Sequence, residues 1–287
     1  MSGPASIIAP GLIGSVSALC HELTSSDALL RTPLALSRRI GFVQLRGGSG
    51  ASAAAGYVAS MLARRRAGMV LGVNASAGEA NMLWQAGLTR LASGASDHHR
   101  RSHPSSAADA RAGLPVGGTG LIGLDLARDH LSASAGTWFE QVTPIARFYD
   151  LVITDWGVRH RQVDLRQVAR ASHVVCLVAR ADRYPAEEAA ALVPALAEVE
   201  DQPRVVVVLV DVGRTAERTP QLLRSQLPVP VLSIPYDPRR AKVQPVASRH
   251  LPSRTRLAYA RLCTALMAEA VKPAYRRLVA AVDERPS

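Results

Sequence analysis

The sequence predicts a doubly wound α/β fold with a mostly parallel sheet. Seven short apolar runs, at residues 40–45, 69–74, 121–126, 150–155, 173–179, 204–211 and 229–234, are separated by helix-length segments. That alternation suits right-handed crossovers between parallel strands. Two of the runs, His173 to Ala179 and Arg204 to Asp211, are β-branched and apolar on both faces, as strands covered by helices on both sides are. The first run breaks into Arg46-Gly-Gly-Ser-Gly50, a glycine-rich passage from strand to helix. In a chain of 287 residues, the unbroken alternation argues for one domain over 39–287 rather than two.

Residues 1–38 precede the first strand and mix proline, serine and apolar residues. They read as an N-terminal docking segment, with a helix packed on the domain as the alternative. After the glycine turn, Ser52 to Arg66 alternates small, apolar and basic residues without proline, as an amphipathic helix does, and leads into the strand Met69 to Asn74. Gly94 to Gly120 is polar, rich in breakers and longer than an ordinary connection, so a flexible insertion is expected there. His98, His99 and His103 fall within it. No carboxylate or cysteine is spaced to fix a metal geometry around them, so they read as solvated residues of a polar loop. Gly117-Gly-Thr-Gly120 precedes a short strand instead of following one and is read as linker, not as a second phosphate loop. Tyr149 to Asp155 is an apolar strand that ends in an acid, and the last strand runs into Ile234-Pro-Tyr-Asp-Pro238. Ser253 to Val282 is helical by composition, and Pro273 is expected to break or kink it. Its Arg254, Arg256, Arg261, Arg276 and Arg277 are candidates for a basic surface.

The passage Ile40 to Ser52 carries the chemistry. In a phosphate-binding loop of the form G-x-x-x-x-G-K-[ST], backbone N–H groups cradle phosphates, the lysine reaches the β and γ oxygens, and the hydroxyl binds Mg²⁺. Gly47, Gly48, Ser49, Gly50 and Ser52 suit that role, but Ala51 stands where the lysine belongs. With Arg46 as the leading cation, the loop resembles the deviant form K-G-G-x-G-K-[ST] of the MinD/ParA family of P-loop ATPases. Other landmarks follow from about residue 30 to residue 270. Asp155 resembles the Walker B carboxylate that holds Mg²⁺. The second strand of the family ends in Asp-x-Asp, and this chain has Asn74 and Ser76. Asp211 resembles the position of an adenine-contacting asparagine, and Pro235 would lie against the base. Leu-Arg-x-Pro-Leu-x-x-x-Arg-Arg-Ile at 30–40 and Leu-Pro-x-x-Thr-Arg-x-Ala-Tyr at 251–259 resemble the actinobacterial MinD-like branch associated with type VII secretion.

The resemblance implies ATP as ligand, with Mg²⁺ held by Ser52 and Asp155. The expected nucleotide contacts are Arg46, Gly47, Gly48, Ser49, Gly50, Ala51, Ser52, Asp211 and Pro235. It also implies a face-to-face homodimer across the Arg46 loop. Binding is expected to be weak or absent, and no catalytic residue is expected, because Ala51 and Asn74 are degenerate.

Composition narrows the partners. Apolar content of 48% is ample for a large core, and aromatic content of 4% leaves little stacking surface for single-stranded nucleic acid. The formal charge of +11, from 34 Lys plus Arg against 23 Asp plus Glu, permits DNA or an anionic membrane surface without demanding either. Only Lys242 and Lys272 are lysines, and an arginine-rich, alanine-rich composition also follows from a GC-rich genome. Cys20, Cys176 and Cys263 are widely spaced, which fits a reducing cytoplasm. No stretch approaches the about 20 apolar residues of a membrane span, and the apolar run Ile7 to Leu19 lacks the preceding basic residue of a signal peptide. The leading reading is a degenerate MinD/ParA-like pseudo-ATPase that serves as an adaptor or scaffold in type VII secretion or protein positioning. The alternatives are an ATPase or nucleotide switch with an unusual loop, and a positioning protein that binds DNA non-specifically.

Overall fold

The computed structural model describes residues 10–88, 94–127, 131–159, 162–197, 203–214, 219–240 and 245–272. A seven-stranded sheet in the order β3-β2-β4-β1-β5-β6-β7 is built from β1 (Arg38–Gln44), β2 (Val70–Asn74), β3 (Ile122–Asp125), β4 (Leu151–Val158), β5 (Val174–Arg180), β6 (Arg204–Val210) and β7 (Val231–Ile234). Every pairing between these strands is parallel. All seven apolar runs of the sequence are strands, and the fold class is the one predicted. β7 starts two residues later than the run 229–234, because Pro230 has no N–H to donate to a ladder.

The helices cover both faces. One face carries α6 (Ala135–Ala146), α7 (Gln162–Ala171) and α8 (Arg183–Ala197), where Trp138, Ile145, Val168 and Val193 pack on Val43, Val152, Val175 and Val207. The other carries α2 (Ala51–Arg65), the short α3 (Met82–Gln85) and α10 (Ser253–Val271), where Val58, Leu62, Leu262 and Leu266 pack on Phe42, Ile153, Cys176 and Val206. Alternate residues of each central strand feed opposite cores, so both faces of these strands must be apolar. The chain crosses β1 in going from β4 to β5. The strand order reverses there, and the crevice beyond the carboxyl end of β1 is where such sheets bind ligands.

Residues 10–31 form α1 (Pro10–Arg31), which makes the second of the two roles open to the N-terminal segment an observed one. Glu22 accepts from the Arg261 guanidinium of α10 at 2.6 and 2.9 Å. The Leu30 carbonyl accepts from Arg66 at 2.9 Å, and the Leu30 side chain, 3% exposed, belongs to the core beneath α2 and α10. Leu30→Ala is therefore expected to cost about 2–5 kcal/mol, read from the urea midpoint of the full chain.

The segment 94–120 is not the irregular insertion that its breakers imply. It contains α4 (Ala95–Ser102) and α5 (Ala107–Ala110). Ser106 caps α5 by accepting from the Asp109 N–H, and Arg101, 6% exposed, donates to the Ala112 carbonyl. Tyr149 donates to Ala110 and Arg147 to Pro104, at 3.1 and 3.0 Å. These contacts tie the segment to the end of α6. His98 and His99 lie on α4 and are helical residues, while His103 follows as its C-cap. Among the described residues no group of three His, Cys, Asp or Glu is placed to hold a metal. Pro273 and the arginines at 276 and 277 lie outside the described residues. α9 (Thr219–Gln226) completes the helices, and none of those described is long and apolar enough to cross a membrane.

His173, at the start of β5, links stability to pH. Its Nδ1 accepts the Arg39 N–H at 2.9 Å. Burial, with Arg39 and Arg38 nearby, pushes its pKa down from 6.5 to about 4. The unfolded chain takes up a proton on His173 below about 6.5 while the folded chain does so only near 4, so stability is lost as pH falls through that window. The loss is expected to be on the order of 2 kcal/mol once partial exposure is discounted. His173→Gln should flatten the denaturation profile between those limits.

Candidate functional site

The glycine turn sits where β1 ends and α2 begins. Gly48 and Gly50 have φ of +77° and +82°, the left-handed region that other residues enter only with strain. A Cβ added at Gly48 or Gly47 would meet nothing within 4 Å, so the turn faces open space and not a packed neighbour. Ser49 closes the turn from inside, its hydroxyl donating to the Arg46 carbonyl at 3.0 Å. Gly50 precedes the fifteen-residue α2 and offers no side-chain cap, which leaves the first N–H groups of the helix for an anion.

A cleft of about 490 Å³ opens over this turn. Gly48, Gly50, Ala51 and Ser52 line it from the turn and α2, and Asp211, Pro235 and Tyr236 line it from the ends of β6 and β7. Residues drawn from three distant parts of the sequence as nucleotide contacts thus share one cavity. Gly47 and Ser49 belong to the turn without lining the cleft.

Beneath Ser52 lies Asp155, fully buried. Its Oδ1 accepts the Gly157 N–H at 3.0 Å, and no hydrogen bond of full geometry reaches its Oδ2, although the Ser52 hydroxyl and the Met82 N–H lie close enough to the carboxylate to stabilise its charge. Gly157, at φ +65°, forms the bulge that follows, and a Cβ there would strike Ser76. Burial raises the Asp155 pKa, while the adjacent Ser52 hydroxyl and the Gly157 N–H work in the opposite direction. A buried carboxylate next to a hydroxyl fits a hard divalent cation that takes oxygen ligands. This supports the pairing of Ser52 with Asp155 as Mg²⁺ ligands.

Three of the expected positions offer the cleft no free charge. Ala51 is 1% exposed and packs into the core, so the first turn of α2 supplies no cation. Asn74 is fully buried. Its Nδ2 donates to Asp125 Oδ1 at 2.8 Å and its Oδ1 accepts the Ser76 N–H at 3.1 Å, and a neutral amide held in this way takes no proton from water. Arg46 lies outside the cleft. Its guanidinium donates to both carboxylate oxygens of Glu188 on α8, at 2.9 and 3.3 Å, and stacks over Tyr184 at 5.1 Å.

The structure adds residues that the sequence did not single out. Gln44, Gln85, Asp237, Arg240 and Tyr259 also line the cleft. Arg240 is the one cation among the described lining residues, and it donates to the Tyr259 hydroxyl with its guanidinium 4.9 Å above that ring. Tyr259 in turn stacks on Tyr57 at 4.2 Å. Gln44 Oε1 and Asp237 Oδ2 are buried without partners. Only the Ile-Pro-Tyr-Asp-Pro turn, two residues before Arg240, marked this stretch in the sequence.

No protein-family model and no curated protein matches the chain. Solved structures do. The ParA family ATPase of Chlorobium tepidum TLS superposes with a TM-score of 0.63 at 19% identity, over 79% of this chain and 98% of that one. The cell division ATPase MinD of Pyrococcus furiosus gives 0.62 at 19% identity, over 79% and 97%. The septum site-determining protein MinD of Pyrococcus horikoshii OT3, complexed with Mg-ADP, gives 0.61 at 18% identity, over 79% and 94%. The fold is that of the MinD/ParA ATPases. On this MinD/ParA fold, Ser52 in the first turn of α2 stands beside the buried Asp155 of β4, and Asn74 of β2 is its neighbour in the sheet.

Proposed function

We propose that the chain is a nucleotide-binding adaptor on the MinD/ParA fold that hydrolyses ATP slowly or not at all. The observation that carries this reading is the cleft over an open glycine turn, with Ser52 and Asp155 paired beneath it and with Ala51 and Asn74 in place of a cation and a carboxylate. The N–H groups of the turn and of α2 bind the anionic part of the nucleotide. Arg240 contributes the positive charge that Ala51 does not, and Pro235 and Tyr236 take the base. Ser52 and Asp155 would hold Mg²⁺, which would supply positive charge against the phosphates.

Asn74, hydrogen-bonded on both sides of its amide, neither positions nor deprotonates a water as a carboxylate does. The family likeness of segments 30–40 and 251–259 supports a place in type VII secretion or protein positioning, in the cytoplasm. An ATP-bridged homodimer would require Arg46 to leave Glu188. A DNA-binding role draws less support, since Arg261 is committed to Glu22 and Arg254 donates to the Tyr236 carbonyl at 3.2 Å.

Calorimetry with ATP and ADP, with and without Mg²⁺, tests the reading. The expected result is saturable binding that Mg²⁺ strengthens in the native chain and fails to strengthen in Asp155→Asn or Ser52→Ala. No heat of binding with either nucleotide would refute it, and turnover at ordinary enzymatic rates would favour the ATPase alternative.

A further inference from the structure

A second cavity lies outside the nucleotide cleft, between α1, α2 and α10, and encloses about 510 Å³. Its floor is apolar, formed by Leu23, Tyr57, Met61 and Leu257 with Leu19 at one end. Leu19 and Leu23 are 38% and 43% exposed, so the groove is open to solvent along α1. Its rim is cationic and carries Arg64, Arg65, Arg249 and Arg256. Arg65 pairs with Asp27. Arg249 donates to the His250 Nε2 at 3.1 Å and Arg256 to the Ser253 hydroxyl at 3.2 Å. Among the described residues Arg64, Arg249 and Arg256 have no carboxylate partner, although Asp27 and Glu22 on the adjoining helix engage other arginines.

We propose that this groove docks an acidic amphipathic helix of a protein partner, with apolar side chains on the floor and carboxylates paired to the arginine rim. The chemistry selects this occupant. An apolar strip bordered by arginines matches one face of an amphipathic helix, whose apolar side chains recur at i, i+3, i+4 and i+7. The planar guanidinium fork pairs carboxylates in a bidentate way. Duplex DNA has no apolar face to bury against Leu23, Met61 and Leu257, and the test below separates a helix from a lipid surface. α1 is the wall that brings the two leucines, so the N-terminal segment contributes as one side of a composite surface rather than as a free arm. This surface gives the adaptor reading its partner and is separate from the nucleotide cleft. Calorimetric failure in the cleft and failure of docking in the groove are therefore distinct results.

Fluorescence anisotropy on the full chain tests the docking. The probe is a labelled helical peptide with leucines at i, i+3, i+4 and i+7 and glutamates elsewhere. Two matched peptides carry lysine for glutamate and serine for leucine. The expected result is saturable binding of the Leu/Glu peptide. Each matched peptide should bind about tenfold more weakly or worse, since tenfold corresponds to only about 1.4 kcal/mol. Leu23→Ser and Arg256→Glu, both at exposed positions and checked for unchanged circular dichroism, should weaken the Leu/Glu peptide to a similar extent. The proposal is overturned if the Leu/Glu peptide does not bind, or if the lysine peptide binds equally well. It is also overturned if duplex DNA or phosphatidylglycerol vesicles bind and lose that binding in the same two variants.

Discussion

Purified protein is expected to hydrolyse ATP at or below the detection limit of a phosphate-release assay, and Ala51→Lys alone is expected to leave it there. Loss of one preorganised electrostatic stabiliser typically lowers a rate by about a hundred- to a thousand-fold. On the proposed reading two such groups are absent, a lysine at Ala51 and a carboxylate at Asn74, and the effects of separate groups multiply toward about 10⁴–10⁶-fold. Restoring the lysine repairs only the first loss. Asn74 remains bound to Asp125 and to the Ser76 N–H, so the attacking water still finds no acceptor. The double variant Ala51→Lys with Asn74→Asp is the one expected to gain measurable turnover. Turnover in the native chain that disappears in Asp155→Ala would show that the site is competent as it stands.

The second large effect concerns affinity. Arg240→Ala is expected to weaken ATP binding by about 10- to 100-fold, since a hydrogen bond to a charged group contributes about 1.5–3 kcal/mol. Arg240 is the one cation among the described lining residues of the cleft, and its hold on Tyr259 fixes the guanidinium in place. Arg240→Lys should recover part of the loss, because the charge returns without the planar fork. Ala51→Lys placed in the Arg240→Ala background should recover part of it by the family's usual route. Calorimetric titration of the four proteins reads this out, and ATP bound equally well by Arg240→Ala would remove Arg240 from the site.

Much of the fold was legible in the sequence because parallel strands buried on both faces leave an unmistakable trace of short β-branched runs. The glycine turn was legible for a local reason, since Gly48 and Gly50 need positive φ and few other residues accept it. The short helices of segment 94–120 were not legible, for the converse reason. Its polar residues form short helices held by caps and by the long reach of Arg101 and Tyr149, and these contacts have no periodicity to detect. The closing motif at 251–259 was noticed only as a likeness, yet its Thr255 and Tyr259 are buried, and Tyr259 supports the arginine of the cleft.

The sequence by itself determined the strand count, the parallel α/β class, the glycine turn after β1 and the uncharged residue types at Ala51 and Asn74. Each depends on residue type at one position or on a period of a few residues. Tertiary structure alone decided which charges face which space. Arg46, the cation nearest the turn in sequence, is drawn to Glu188, 142 residues further on. Arg240, nearly two hundred residues from the turn in sequence, lines the same cleft. Side-chain direction depends on packing partners that the chain brings together only by folding, so local sequence carries no record of it. The arginine-rimmed groove has the same origin, because its three walls come from α1, α2 and α10 and meet only when the core between them is buried.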